Sequence, residues 1–437
     1  MIEYLGWAII GALGAAALAW IPALHIYNVA GYLLLASGAL APWLSPERMA
    51  FLFLGMVTAY AMLNTLPAIF LSVPDESTLF LVLPAQKYLM QRRGYEAVIL
   101  SGIGGLAGVI VLALLLPFVG QPLAVIREIL RPHLGWLLWT IIAYMLLSEW
   151  PKGSDRAPAG WRRWASGWSS LSAGLATFVL TGLLGVILLY RPLVPVEVAY
   201  QNLMPAFVGL FAVPWVLQNL LAHGALPPQH LARSVDAPLS VMAHGIAAGM
   251  LGGLFAAFFP IVTGGIGGLL AGHATAQRDE RAFIISQGTA KVVYYAGGFL
   301  FFFIPGLHLT RGGMAWMLST RYTPYDPALC YWAAAAVLIC GVLAFFLLLG
   351  MGRLMALAAA RVPYRLVSWG TLGLLLALVV GMTGLMGLAI CTVATGLGLI
   401  PVLWGSRRSH AMGVLLLPIA LAMVGAGETV VRLLGLL

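Results

Sequence analysis

Residues 95–117 read YEAVILSGIGGLAGVIVLALLLP, and no charged side chain follows Glu96 within them. The stretch matches the roughly 20 residues an α-helix needs to cross a bilayer. A helix apolar on every face has no stable place on a water-soluble surface. In lipid its backbone groups satisfy one another, so the stretch predicts a transmembrane helix. Similar runs recur on both sides, at 2–22, 27–44, 48–72, 132–150, 170–190, 201–222, 238–260, 282–304, 328–350, 363–382, 384–404 and 411–435. The whole chain has 437 residues, a mean hydropathy of +0.98, 62% hydrophobic and 8% charged residues. The expected fold is an all-α polytopic integral membrane protein with roughly 10 to 13 transmembrane or re-entrant helices, some of them hairpins. The short alternating segments of a β-barrel are absent, and little chain remains for a soluble domain.

The net charge of +9 lies in short loops, as for a multi-pass protein of the cytoplasmic (inner) membrane, and not on a nucleic-acid-binding face. The polar stretch 151–169 carries Lys152, Arg156, Arg162 and Arg163 against Asp155, which predicts the cytoplasmic side. Trp161, Trp164 and Trp168 are expected at headgroup level. The opening residues lack a charged start and a cleavage site, so they read as the first membrane helix. Cys330, Cys340 and Cys391 lie in apolar runs without metal-ligand spacing and read as core.

Two parts of the chain resemble each other. ERMAF (47–51) is answered by ERAF (280–283), and IPALHIYN (21–28) by FFPIVTGGIGG (258–268). IFLSVPDE (69–76) is answered by FFFIPGLH (301–308). Chance matches are common in apolar sequence. Duplication instead predicts two membrane halves, 1–235 and 236–437, whose Gly/Pro-broken helices would meet at a mid-membrane site. Whether the halves are inverted or parallel depends on the number of crossings between Glu47 and Glu280.

Five places could carry chemistry. His25 and Asn28 follow a helix break at Pro22, suited to a solute or proton, or else to a plain interfacial loop. VTGGIGGLLAGHATAQ (262–277) places Thr263, Gly264, Gly265 and His273 in a glycine-rich turn. Such a turn can cradle an anion or simply let helices pack closely. Lys291 sits deep inside an apolar run with Gln287 one turn earlier, which is costly unless the lysine faces a cavity or snorkels. Asn64, Thr65 and Pro67 interrupt the run 48–72. Asp75 and Glu76 then follow Pro74, as either a helix N-cap or an ion-coupling pair. Glu428 and Arg432 read as a local pair, and His244 as a satisfied core histidine.

None of the common hydrolase, zinc-protease, P-loop or calcium-loop motifs is present, so no enzyme is expected. No cofactor is implied, and a coupling H+ or Na+ fits the acidic pair. The block VPDESTLFLVLPAQKYLMQRRGYEAV (73–98), together with IPALHIYN, resembles the TctA-like family, the large membrane subunit of tripartite tricarboxylate transporters. Its closest likeness is to a stand-alone branch common in archaea. Pro22-Ala23 and Pro260-Ile261 stand where that family has Pro-Gly. The resemblance implies a secondary, ion-coupled permease for an organic anion such as a carboxylate. A looser resemblance is to translocases of undecaprenyl or other polyprenyl phosphate, which would make an anionic lipid the partner. A membrane scaffold or a lipid-acting enzyme is the third reading.

Overall fold

A computed structural model describes residues 2–21, 24–149, 160–191, 193–195, 201–221, 226–260, 262–359, 361 and 363–436. Pro22, Ala23, Ile261 and residues 151–159 of the polar stretch 151–169, with Lys152, Asp155 and Arg156, lie outside the described residues. The described chain is helical without strands. It contains eight helices long and apolar enough to cross a membrane, or nine if one sharply bent pair is counted as a span.

The first arm runs α1 (Ile2–Leu18), α2 (Ile26–Leu35), α3 (Ser37–Leu40), α4 (Pro46–Leu63), α5 (Thr65–Phe70), α6 (Val82–Met90) and α7 (Gly94–Leu130). Then come α8 (Leu134–Leu147), α9 (Trp161–Tyr190), α10 (Met204–Phe207), a π-turn at Val208–Ala212, and α11 (Val213–Leu221). The second arm follows with α12 (Leu239–Phe258), α13 (Gly264–Ala274), α14 (Glu280–Val292), a π-turn at Val293–Gly297, α15 (Gly298–Phe303), α16 (Gly313–Ser319) and α17 (Ala328–Ala359). The chain closes with α18 (Tyr364–Leu403), α19 (Gly413–Met423) and α20 (Gly427–Leu433).

Contacts divide the chain into two compact units, 1–128 with 222–368, and 129–221 with 369–437. Each unit therefore takes one stretch from early in the chain and one from late.

In the first unit, glycine sets the helix spacing. A Cβ on Gly11 would lie 2.0 Å from the Leu52 carbonyl oxygen, and one on Gly55 would lie 1.8 Å from that of Ala8. The backbones of α1 and α4 thus touch directly, as small residues allow in membranes, where packing rather than water expulsion drives association. α12 meets α14 in the same way, with a Cβ on Gly249 only 2.6 Å from the Ser286 carbonyl oxygen. α7 lies on α14, where Thr289 Oγ1 donates to the Gly104 carbonyl at 2.9 Å. α17 in turn packs along α4. Every residue from Met49 to Phe70 is buried. By contrast α7 and α17 present Leu114 and Leu354, each 67% exposed, on faces suited to lipid.

Helix starts follow from local chemistry. Ser45 caps α4 by accepting from the Arg48 N–H, with Pro46 in the first turn, where a missing N–H costs nothing. Asp279 caps α14 by accepting from the Arg281 N–H at 2.8 Å.

The second unit carries a polar lock. Glu149, fully buried just beyond α8, accepts from Ser170 Oγ on α9 at 3.0 Å and from the Arg407 N–H at 2.9 Å. His410 Nε2 lies 3.0 Å from the same carboxylate.

Several expected spans differ in detail. The run 27–44 is two short helices, α2 and α3, because the chain turns at Ala36. The runs 363–382 and 384–404 form one assigned helix, α18, kinked at Gly384, whose φ of 70° and ψ of −168° suit glycine alone. The run 411–435 folds back by 115° between its two helices. Trp161, Trp164 and Trp168 lie exposed in the first turns of α9. His244 is a correction. It is exposed rather than core, with Nε2 3.1 Å from the Thr275 carbonyl, because α12 turns only its glycine- and alanine-rich face to α14. Glu428 and Arg432 pair at 3.8 Å on an exposed face. The three cysteines are free and buried.

Candidate functional site

Each arm breaks its helices twice, and the breaks gather polar side chains. α4 stops at Asn64, and α5 begins one residue later. α5 ends at Phe70, and Ser72 then takes a φ of 55°, which turns the chain toward the acidic pair. In the second arm α13 starts just after its N-cap Thr263, and the π-turn Val293–Gly297 interrupts the helix that carries Lys291. These four interruptions meet within the first compact unit.

Asp75 is occupied by its own turn. Its Oδ1 accepts from the Ser77 N–H at 3.0 Å, the Thr78 N–H at 2.8 Å and both hydroxyls at 2.8 Å. This is the capping geometry that an aspartate before a serine and threonine favours. Its other oxygen accepts from Asn64 Nδ2.

Glu76 faces the other way. Its Oε1 lies 3.3 Å from His25 Nε2 and accepts from the Tyr295 hydroxyl at 3.1 Å. That hydroxyl also lies 3.0 Å from His25 Nε2, closing a triangle of three titratable side chains. His25 Nδ1 accepts from the Tyr27 N–H at 3.2 Å, so His25 is also the N-cap of α2. With Nδ1 as acceptor, a neutral ring carries its proton on Nε2, facing Glu76. One ligand atom from each of His25, Asp75 and Glu76 lies within 4.8 Å of the other two.

Thr263 joins the second arm to this point. Its hydroxyl donates to the Glu76 carbonyl at 3.2 Å and caps α13 through the Ile266 N–H. Gly264 and Gly265 follow because larger residues do not fit. A Cβ on Gly265 would meet the Ser77 and Glu76 carbonyl oxygens at 3.0 and 3.1 Å, and one on Gly264 would meet the Lys291 Cα at 3.0 Å. Lys291, 2% exposed, donates through Nζ to Asn64 Oδ1 and Thr65 Oγ1.

The structure therefore brings His25, Asn64, Asp75, Glu76, Thr263, Gly264, Gly265 and Lys291 into one cluster, buried at Asn64, Thr263, Gly264, Gly265 and Lys291 and half-buried at His25, Asp75 and Glu76. Asn28 and Gln287 are buried but stand apart from these bonds. Among the described residues Asn28 Nδ2 and both polar atoms of Gln287 have no hydrogen-bond partner, and Gln287 lies against Gly268. His273 is exposed in the last turn of α13, ten residues from Thr263 and so about 15 Å along the helix. The cluster also has members that sequence reasoning did not name. Tyr27, Tyr60 and Tyr295 surround the His25 ring, with centroids 4.4, 5.2 and 5.9 Å away. A signal for Tyr295 existed, since it lies one helical turn after Lys291 and so shares its face.

Chemically, the cluster holds a buried lysine together with two carboxylates and an imidazole that are half-buried. Taking an ionised group out of water costs several kcal/mol, so stability alone does not explain gathering these ionisable groups here. Intramembrane ionisable residues at helix breaks mark paths for ions or charged solutes.

Residues 5–413 match the family described as the Tripartite tricarboxylate transporter TctA family. The uncharacterized protein MJ1079 of Methanocaldococcus jannaschii is similar, with 23% identity over 348 residues, covering 79% of each chain. No solved structure matches the chain.

Proposed function

The chain belongs to the Tripartite tricarboxylate transporter TctA family, and on that premise we propose that it moves a carboxylate-type anion across the cytoplasmic membrane by secondary transport, through a site between two inverted repeats. Family membership makes it a multi-pass membrane transporter component and not an enzyme.

One observation carries the proposal. Helix breaks from both arms converge on the Asp75–Glu76 pair: His25, Thr263 and Tyr295 meet Glu76, while Asn64 meets Asp75 and carries the Lys291 ammonium on its other end. Half-helix N-termini suit anions, and carboxylates suit a coupling cation or proton. The N-termini of α2 and α13, with Lys291, supply positive potential, while Asp75 and Glu76 supply the acceptors.

Element spacing supports the repeat. Asn64 falls seventeen positions after Glu47, and Gly297, which ends the π-turn, falls seventeen after Glu280. Phe70 and Phe303, the last residues of α5 and α15, each fall twenty-three positions after the same glutamates. Contact order supports inversion. Phe51, near the start of α4, touches Phe303 at the end of α15, with ring centroids 5.6 Å apart. Asn64, at the end of α4, meets Lys291 in α14. The two broken helices therefore run antiparallel. The exits match as well: Lys87, after the first break, pairs with Glu280, while Tyr322, after the second, lies by Glu47.

The test is uptake of radiolabelled citrate and shorter dicarboxylates into proteoliposomes under imposed H+ and Na+ gradients. Gradient-dependent uptake is expected, with a fall of at least about tenfold in Glu76→Gln, which keeps the shape but not the charge. Failure to take up any carboxylate under either gradient would sink the proposal.

A further inference from the structure

Lys291 reaches into the gap between α4 and α5. Its ammonium donates to two oxygens, Asn64 Oδ1 and Thr65 Oγ1, and both belong to the residues that interrupt the helix. The nearest carboxylate in this bonded chain is Asp75, which takes the other end of the Asn64 amide. The amide thus presents oxygen to a cation and nitrogen to an anion. That polarity sets the amide orientation, because the reverse would place NH2 against NH3+.

A helix break lined by side-chain oxygens beside a carboxylate is a seat for a small monovalent cation. Here the seat is filled from the opposite arm by a covalently held charge. We propose that the Lys291 ammonium is a tethered cation standing where a dissolved sodium ion would otherwise sit, so that the α4–α5 break holds its shape without Na+. This deepens the transport reading of the same site, since it leaves the Glu76–His25–Tyr295 triangle as the place for an exchangeable ion. The surroundings support the assignment. Thr289 and Lys291 are on one helix, yet the Thr289 hydroxyl is spent on the Ile285 and Gly104 carbonyls, so it does not compete for the seat. Gly264 lets α13 pass directly against the Lys291 backbone.

The experiment uses purified full-length protein in detergent and no transported substrate. Absence of uptake therefore leaves this proposal standing, and its own failure leaves the transport reading standing. Thermal stability and radiolabelled sodium binding are compared in NaCl and in N-methylglucamine chloride at equal ionic strength. The wild type is expected to show no sodium binding and no sodium-dependent shift in melting temperature that Thr65→Val removes, so any ion at the Glu76–His25–Tyr295 triangle is left out of the comparison. Lys291→Ala empties the seat while Asn64, Thr65 and Asp75 remain. It should be less stable than the wild type in N-methylglucamine and regain several degrees in NaCl, as binding to the folded state alone requires. It should also gain saturable sodium binding, at least about fivefold over the wild type. Lys291→Gln, which retains a donor and much of the stem, is the second variant should the alanine form fail to fold, and it should show a smaller gain. Saturable sodium binding or sodium stabilisation in the wild type at this seat, measured as a signal lost in Thr65→Val, overturns the proposal. So does a folded Lys291→Ala that ignores sodium. If neither lysine variant folds, the wild-type comparison decides alone.

Discussion

Asp75 and Glu76 are neighbours in the chain and have opposite duties. Asp75 gives one oxygen to four donors of its own turn, whereas Glu76 points at His25 and Tyr295 from two different elements. The pair therefore separates by substitution. Asp75→Ala removes a cap and leaves the Asn64 amide without its acceptor, at a cost of about 1–3 kcal/mol. Glu76→Gln keeps a polar side chain that can still accept from Tyr295, so its stability should stay within about 1 kcal/mol of the wild type. Melting curves of the two variants in detergent check this. Equal destabilisation would mean that the division of labour is wrong. Sequence reasoning reached both residues but left cap and coupling site open, because the two choices differ only in where the side chains point.

At the level of elements, glycine decides which helices touch. Gly55 and Gly288 are each approached by a carbonyl oxygen, of Ala8 and Ser101, at 1.8 and 2.2 Å from where a Cβ would stand. Neither position has room for a methyl group without moving a helix backbone. Gly55→Ala should loosen α1 from α4, and Gly288→Ala should loosen α7 from α14, each costing about 1–3 kcal/mol. Gly14, with open space around its Cβ position, is the control and should accept alanine at little cost. Unfolding midpoints or protease resistance of the three variants would expose an error if Gly14→Ala proved as damaging as the other two. The apolar runs showed the existence of these helices plainly. They did not show that 27–44 is two short pieces, or that α18 continues past Gly384 with a kink. Hydropathy measures compatibility with lipid, and a broken helix buried among its neighbours scores as well as one that spans.

For the whole molecule, antiparallel α4 and α14 make a directional claim. If the arms are inverted repeats, the approaches to the two helices open on opposite faces of the membrane. Trp43→Cys, just before α4, and Glu280→Cys, at the start of α14, should then react with a membrane-impermeant maleimide from opposite sides of sealed cells or inverted vesicles. The native cysteines Cys330, Cys340 and Cys391 are buried and should contribute little background. Labelling of both from the same side would rule out inversion.

The sequence by itself determined the membrane class, the helical content and the block of residues in which the acidic pair lies. Lipid leaves a chain so apolar no other way to satisfy its backbone, and short-range chemistry such as Pro-Asp-Glu-Ser-Thr caps its own turn. It also pointed to the two ER-started helices, whose breaks fall at equal spacing. Only the tertiary structure decided that Lys291 of α14 ends at the Asn64–Thr65 break, that Tyr295 closes the triangle with Glu76 and His25, and that His273 stays at the far end of α13. Those contacts join residues more than two hundred positions apart. Their partners are chosen by how closely glycine lets helices approach and by which polar side chains can satisfy one another, and no local pattern records either.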